Sequence, residues 1–304
     1  MARVIPTSEF ALYPLSGPAP AANETCFPPF SPVRYSQYKY GSVTSAEAFA
    51  RALGAAFCER HPELALAERL LIASSPYAHV PSAATTLARR LRPVLNAARA
   101  RRGLVPAPLL KVDRISTSAG DYGTLSAQAR DRHMAANTLS FRRFQPQLVR
   151  DAHLLVVDDV RVTGSHQRCL MRESEDLPLA TRTFLYIAAF PDAADGPFDP
   201  VQEDALNHAA VKTLTDLAAI VEAGDFTWNV RVCKFALSPA NHGELPRFLR
   251  RMPGWFVRGL HRNSCRDGYA RMDLYAPSYA VVREELSRQA DKRRAPRGLQ
   301  RQPA

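Results

Sequence analysis

The sequence predicts an α/β fold: a parallel sheet flanked by helices, with an additional, mainly helical C-terminal region. Three observations lead there. Short apolar runs alternate with stretches of helical spacing over the first two thirds of the 304 residues. These runs are continuous rather than alternating, which marks strands covered on both faces, as parallel strands are. Beyond about residue 200 the apolar residues recur only at helical spacing, among many aromatics.

Taken in order, residues 1–43 are rich in Pro, aromatic and small residues. They read as an extended arm with a short strand near Val33 to Tyr40. Thr44-Ser45-Ala46-Glu47 has the form of a capping box, and Phe49, Leu53 and Phe57 follow on one helical face, which predicts a helix over 45–61. Arg69-Leu70-Leu71-Ile72-Ala73 is a buried strand ending in Ser74-Ser75-Pro76-Tyr77, ordinary turn chemistry. A helix is expected from about Pro81 to Arg102, then a strand over Pro108–Val112. Asp113 to Ala136 is long, polar and without period, the kind of loop that inside a compact domain often serves as a lid.

Leu154-Leu155-Val156-Val157 is the strongest strand, expected at the centre of the sheet. It stops at Asp158 and Asp159. The turn Val162-Thr163-Gly164-Ser165-His166 leads into a helix over 167–172. In open α/β sheets ligands bind outside the carboxyl ends of the strands. A helix N-terminus entered through a small-residue turn offers free N–H groups to a phosphate. Two carboxylates beside a phosphate cradle suit a sugar phosphate, whose hydroxyls the acids accept. The same apolar strand ending in acids also occurs in receiver domains, which carry it nearer the N-terminus, and in P-loop proteins, which need an upstream G-x-x-x-x-G-K-[ST] that is missing here.

The thirteen residues Leu154–His166 resemble the PRPP-binding signature of type I phosphoribosyltransferases. The resemblance implies a Rossmann-like phosphoribosyltransferase domain over about 44–200, with the arm 1–43 contributing to a hood over the site. It implies transfer of 5-phosphoribosyl from PRPP to a nitrogenous base. By resemblance, Asp158 and Asp159 hold the ribose hydroxyls and Val162, Thr163, Gly164, Ser165 and His166 hold the 5′-phosphate. The diphosphate falls to the loop with Ser74, Ser75 and Tyr77. Lys111, Tyr122, Arg130 and Arg132 are lid candidates, the alternative being a solvated loop. Leu125-Ser126 with Arg130 and Arg132 is similar, over only these few residues, to the loop of competence-associated phosphoribosyltransferase-like proteins. The implied cofactor is Mg²⁺, carried mainly by PRPP near the two acids rather than by direct protein ligands. The chain departs from the family at Val162, often Thr or Asp, and at His166, usually Thr. Valine disfavours hypoxanthine or guanine as the acceptor, since it cannot handle a purine proton.

Thr181 to Phe190 is a further core strand, and Pro191–Pro200 is a turn-rich break. Asp199-Pro200 starts a helical pattern running to about Val221. The region 201–286 is read as a helical domain whose aromatics are mostly core, and 287–304 as a disordered tail with six basic residues and one acid. The net charge of +11 favours anionic ligands. Arginines interleaved with aromatics after 245 are compatible with a nucleic-acid surface, or with a solvated helical face. A PRPP-sensing or RNA-binding regulator on the same fold is therefore the alternative to an enzyme. Five scattered cysteines without C-x-x-C spacing, and no run long and apolar enough to span a bilayer, predict a cytoplasmic protein with no membrane partner. A homodimer and the identity of the base stay open.

Overall fold

The computed structural model describes residues 5–15, 29–115, 139–190 and 200–294. A five-stranded, wholly parallel sheet runs β1-β7-β6-β2-β3, where β1 is Thr7–Pro14, β2 Leu70–Ser74, β3 Leu109–Leu110, β6 His153–Arg161 and β7 Thr181–Ala189. A small antiparallel pair, β4 Asp113–Arg114 and β5 Leu139–Ser140, lies apart from it. The helices of this part are α1 Pro32–Lys39, α2 Val43–Arg60, α3 Pro62–Ala65, α4 Ala83–Ala100, α5 Pro146–Val149 and α6 Ser165–Glu173. The helical part comprises α7 Pro200–Asn207, α8 Leu214–Glu222, α9 Val230–Leu237, α10 Leu245–Arg251, α11 Gly254–Arg266 and α12 Ala276–Arg294.

β6 is central, and its unbroken apolar run has a direct cause. Leu155 and Val157 point into the core shared with α2 and α4, while Leu154 and Val156 point into the opposite core, which holds Cys169 and Leu170 of α6. The crossover after β2 leads through α4 to β3 on one side, and the crossover after β6 leads through α6 to β7 on the other. The chain thus changes direction between β2 and β6, the place where open α/β sheets form a ligand crevice.

Four expectations need correction. Val33 to Tyr40 is a helix, not a strand. Ser31 caps it by accepting from the Arg34 N–H at 3.2 Å, Pro32 starts it, and Tyr35 and Tyr38 fill the core one turn apart. The strand of the N-terminal arm lies earlier, as the edge strand β1. The α2 cap is Ser42, two residues before the expected box, and Asp225 seconds it by accepting from the Ser42 hydroxyl at 2.5 Å and the Thr44 N–H at 2.7 Å. The pattern from 200 to 221 is two helices, because Thr213 and Asp216 form a capping box that restarts the chain. The last helix runs to Arg294, well into the expected tail.

The helical part has its own core, built of aromatic and aliphatic side chains of α8 to α12. Tyr40 and Val80, from the sheet side, belong to that core. No helix among the described residues is long and apolar enough to cross a membrane.

Candidate functional site

β2 and β6 run side by side to the same edge of the sheet, with Ser74 opposite Val157. The loop after β2 and the turn after β6 therefore emerge together. They form one wall of a cleft of about 630 Å³, whose other wall is α9 and neighbouring helical segments.

Asp158 and Asp159 stand at this edge. Asp158 Oδ1 accepts from the Ser75 hydroxyl at 2.5 Å and the Asp159 N–H at 2.9 Å, and its Oδ2 lies 2.7 Å from His166 Nδ1. Burial works to raise the Asp158 carboxyl, but the His166 charge and hydrogen bond, with the Ser75 hydroxyl and the Asp159 N–H, outweigh it and hold the group below the usual carboxylate range. Asp159 Oδ1 accepts from the Val160 N–H at 2.8 Å, and its Oδ2 takes an ion pair from Lys39.

The turn is closed around Gly164, whose φ of 69° is left-handed and suits glycine. Thr163 and Ser165 share a hydroxyl hydrogen bond of 2.8 Å, and Arg168 reaches back to donate to the Thr163 carbonyl at 2.8 Å and the Ser165 hydroxyl at 3.1 Å. Val162, Thr163, Gly164, Ser165 and His166 all line the cleft. The His166 ring is turned to Asp158 rather than along the turn, and its Nε2 is buried with no hydrogen-bond partner.

The remaining expected residues divide. Ser75 and Tyr77 line the cleft. Ser74 instead bonds Thr85 in the interior at 3.0 Å. Lys111 braces the loop: its ammonium donates to the Ala78 carbonyl at 2.6 Å, pairs with Asp113 at 2.6 Å and sits 4.5 Å from the centre of the Tyr77 ring. Tyr122, Arg130 and Arg132 lie outside the described residues. Tyr186, opposite Asp158 on β7, lines the cleft and donates to Gln167 at 3.2 Å; burial first, and Asp158 next, push its phenol well up.

With the central strand, its paired acids and the helix-capping turn on the page, the comparison with known families is direct. A family model described as PRTase ComF-like matches residues 8–282. The chain belongs to this ComF-like phosphoribosyltransferase family. The match reaches far past the sheet, so the helical part is included in the ComF-like unit. No curated protein matches the chain. Among solved structures, a hypothetical protein from Neisseria gonorrhoeae with bound ppGpp is similar at 14% identity, over 55% of this chain and 93% of that chain, with a TM-score of 0.31.

Several cleft residues of this ComF-like chain were invisible in the sequence. Lys39 is the last residue of α1, 120 positions from the acid it pairs with. Arg231, Lys234 and Phe235 come from α9. No sequence signal pointed to them, though the structure shows a coincidence of composition. The chain has only five lysines among forty basic residues, and three of the five, Lys39, Lys212 and Lys234, line the cleft.

Proposed function

We propose that the cleft binds 5-phosphoribosyl 1-diphosphate and transfers its phosphoribosyl group to a nitrogenous base. The bond from C1 to the diphosphate oxygen breaks, a bond from C1 to the base nitrogen forms, diphosphate leaves, and the proton on that nitrogen passes to solvent. The observation that carries this reading is the placing of two adjacent carboxylates and a glycine-capped helix N-terminus at one edge of the central strand, in a single cleft. Family membership supports the reaction class.

In this reading Asp158 and Asp159 accept the ribose hydroxyls, and their charge favours the positive ring that develops as diphosphate departs. The Thr163–Ser165 turn and the first N–H groups of α6 take the 5′-phosphate. Ser75 and Tyr77 face the diphosphate. His166, in contact with Asp158, orients that acid. A magnesium ion carried in by the ligand would lie near Asp158 and Asp159, whose oxygens Ser75, His166, Lys39 and backbone N–H groups hold in place. When bound, Mg²⁺ would supply neutralising charge for the departing diphosphate.

The test is calorimetry with PRPP and Mg²⁺, followed by diphosphate release with a panel of bases. Asp159→Asn removes a charged acceptor from the ribose, and hydrogen bonds to charged groups contribute roughly 1.5–3 kcal/mol, so PRPP binding is expected to weaken about ten- to a hundredfold. Unchanged binding in that variant would overturn the reading.

A second reading is a PRPP sensor without catalysis, and one observation favours it. Asp158 and Asp159 are each in contact with a basic side chain, His166 and Lys39, so a ligand held by the acids shares them with groups that can report occupancy. PRPP binding with no diphosphate release from any base is its signature. If the basic C-terminal helices serve nucleic acid, RNA or DNA binding should weaken steeply with salt as counterions compete.

A further inference from the structure

One titratable ring of the cleft has no part in the phosphoribosyl reading. His208 follows the last turn of α7, and its Nδ1 lies 3.0 Å from the Asp204 carbonyl oxygen and 3.1 Å from the Asp204 carboxylate. A carbonyl oxygen can only accept, so the hydrogen sits on Nδ1. The neutral ring then carries its lone pair on Nε2. No described residue hydrogen-bonds that nitrogen, and the half-buried ring lines the cleft.

α1 sets where this ring stands. The Ser36 hydroxyl donates to the Asn207 carbonyl at 2.7 Å and accepts from the Val211 N–H at 3.1 Å, which ties the segment 207–211 to that helix. The end of α1 then serves both sides of the cleft. Lys39 holds Asp159, and the ring of the next residue, Tyr40, meets His208 at 5.9 Å. Phe235 of α9 completes the group, 4.8 Å from Tyr40 and 6.3 Å from His208. The other candidates for a proton acceptor are occupied or closed. Asp158 and Asp159 are held by His166 and Lys39, and Asp267 accepts from the His79 and Val80 N–H groups at 3.0 and 3.1 Å. His166 has its Nδ1 on Asp158 and its Nε2 shut away from solvent. The buried Glu203 on α7, and Arg231 and Lys234 on α9, each have an interaction of their own, and the exposed Lys212 lines the same wall.

We propose that His208 Nε2 takes the proton of the acceptor, and that the acceptor is a planar heterocycle with a ring N–H, lying along Phe235. This rests on the phosphoribosyl reading. A ring N–H of that kind keeps its nitrogen lone pair in the π system and is a poor nucleophile until the proton leaves. In the step, the bond from C1 to oxygen breaks and its electron pair departs with diphosphate. The nitrogen bonds to C1 with the electron pair of its N–H bond, and the proton passes to Nε2. The Asp204 carboxylate, a positioning group, holds the resulting imidazolium, which returns its proton to solvent through the cleft.

The experiment uses the full chain with ¹⁵N-labelled histidine and two matched pairs: adenine against 9-methyladenine, and uracil against 1,3-dimethyluracil. Ribose 5-phosphate, diphosphate and Mg²⁺ stand in for PRPP, so that nothing turns over. The parent of at least one pair should move the His208 Nε2 resonance, and its methylated partner, which lacks the ring N–H, should not. With PRPP and that base, His208→Gln should slow diphosphate release by about a hundredfold or more, the scale of general-base catalysis. PRPP binding should stay within about twofold, since no sheet-side contact is touched. Asp204→Asn keeps the backbone carbonyl that fixes the tautomer but removes a neighbouring anion from the imidazolium. The acid limb of its kcat/KM profile should therefore move to lower pH. Thermal melting checks both variants, and if His208→Gln does not fold, the resonance in the parent and the Asp204→Asn profile decide. The proposal is overturned if the Nε2 resonance ignores both parents or answers the methylated partners equally, or if His208→Gln releases diphosphate at the parental rate. The phosphoribosyl reading survives each of those results wherever diphosphate is released. An Nε2 that answers the ring N–H in a protein that neither binds PRPP nor releases diphosphate would uphold the site and sink the phosphoribosyl reading instead.

Discussion

At the residue scale, the pairing of Lys39 with Asp159 sets the character of the site. Both side chains are largely buried, Lys39 ends α1 where a cation is favoured by the helix dipole, and Tyr35 lies under its ammonium at 5.6 Å. Removing one partner of such a pair strands a charge in a poorly solvated place. Lys39→Met should therefore destabilise the fold by about 3 kcal/mol, the lower end for broken buried pairs, whereas Lys292→Met on the exposed surface should change it by less than about 0.5 kcal/mol. Urea unfolding of Lys39→Met, Asp159→Asn and the double variant forms a cycle. A coupling between the two of about 1–3 kcal/mol is expected for residues in contact, and strictly additive losses would show that the pair is incidental. Nothing in the sequence announced this pair. Asp159 was legible because it closes an apolar run, but Lys39 reaches it only through the packing of α1 beside the sheet, and the same aromatics that make that packing, Tyr35 and Tyr38, read as strand-forming residues. The cap at Ser31-Pro32 was the local signal that outweighed them.

At the scale of elements, the strands were readable and the caps less so. A parallel strand covered on both faces needs a continuous apolar run, and Leu154–Val157 and Thr181–Ala189 supply it from local sequence alone. The start of α2 was misplaced because half of its cap comes from Asp225, far along the chain. Burial works to raise the Asp225 carboxyl, but the Ser42 hydroxyl and the Thr44 N–H hold it below its ordinary value. A carboxyl depressed in the folded state stabilises the fold fully at pH above the unfolded value near 4, and that contribution is lost as pH falls through the folded value. Asp225→Ala should thus cost about 1 kcal/mol at neutral pH, as lost helix caps do. The difference from the parent should shrink below about pH 4, where the parent loses the same charge. Thermal melts at pH 7 and pH 3 measure it, and a difference that grew on acidification would refute the assignment.

At the scale of the whole molecule, the sheet and the helical part are stitched along one seam rather than joined at a linker. The Thr227 N–H donates to the Gly41 carbonyl at 2.8 Å, the Val230 N–H to the Pro81 carbonyl at 2.9 Å, and the Ser36 hydroxyl to the Asn207 carbonyl at 2.7 Å. Gly41 has a φ of 96°, and a Cβ there would stand 2.4 Å from the Thr227 carbonyl oxygen, so the seam has no room for a side chain. Tyr40 and Val80 complete the helical core from the other side. The residues on the seam, α1 and the 76–82 loop, are also those that bring Lys39 and Tyr77 to the cleft. Cutting the chain near residue 200 would expose these two apolar side chains and unpair buried backbone groups, each costing about 1–3 kcal/mol, against a total stability of roughly 5–15 kcal/mol for a typical domain. The full chain is therefore expected to unfold in a single calorimetric transition, with the van't Hoff and calorimetric enthalpies in agreement. A fragment of residues 1–200 should be insoluble or unfolded. Two resolved transitions, or a soluble 1–200 fragment that binds PRPP as the parent does, would separate the sheet from its helical wall and leave α9 no part in the site.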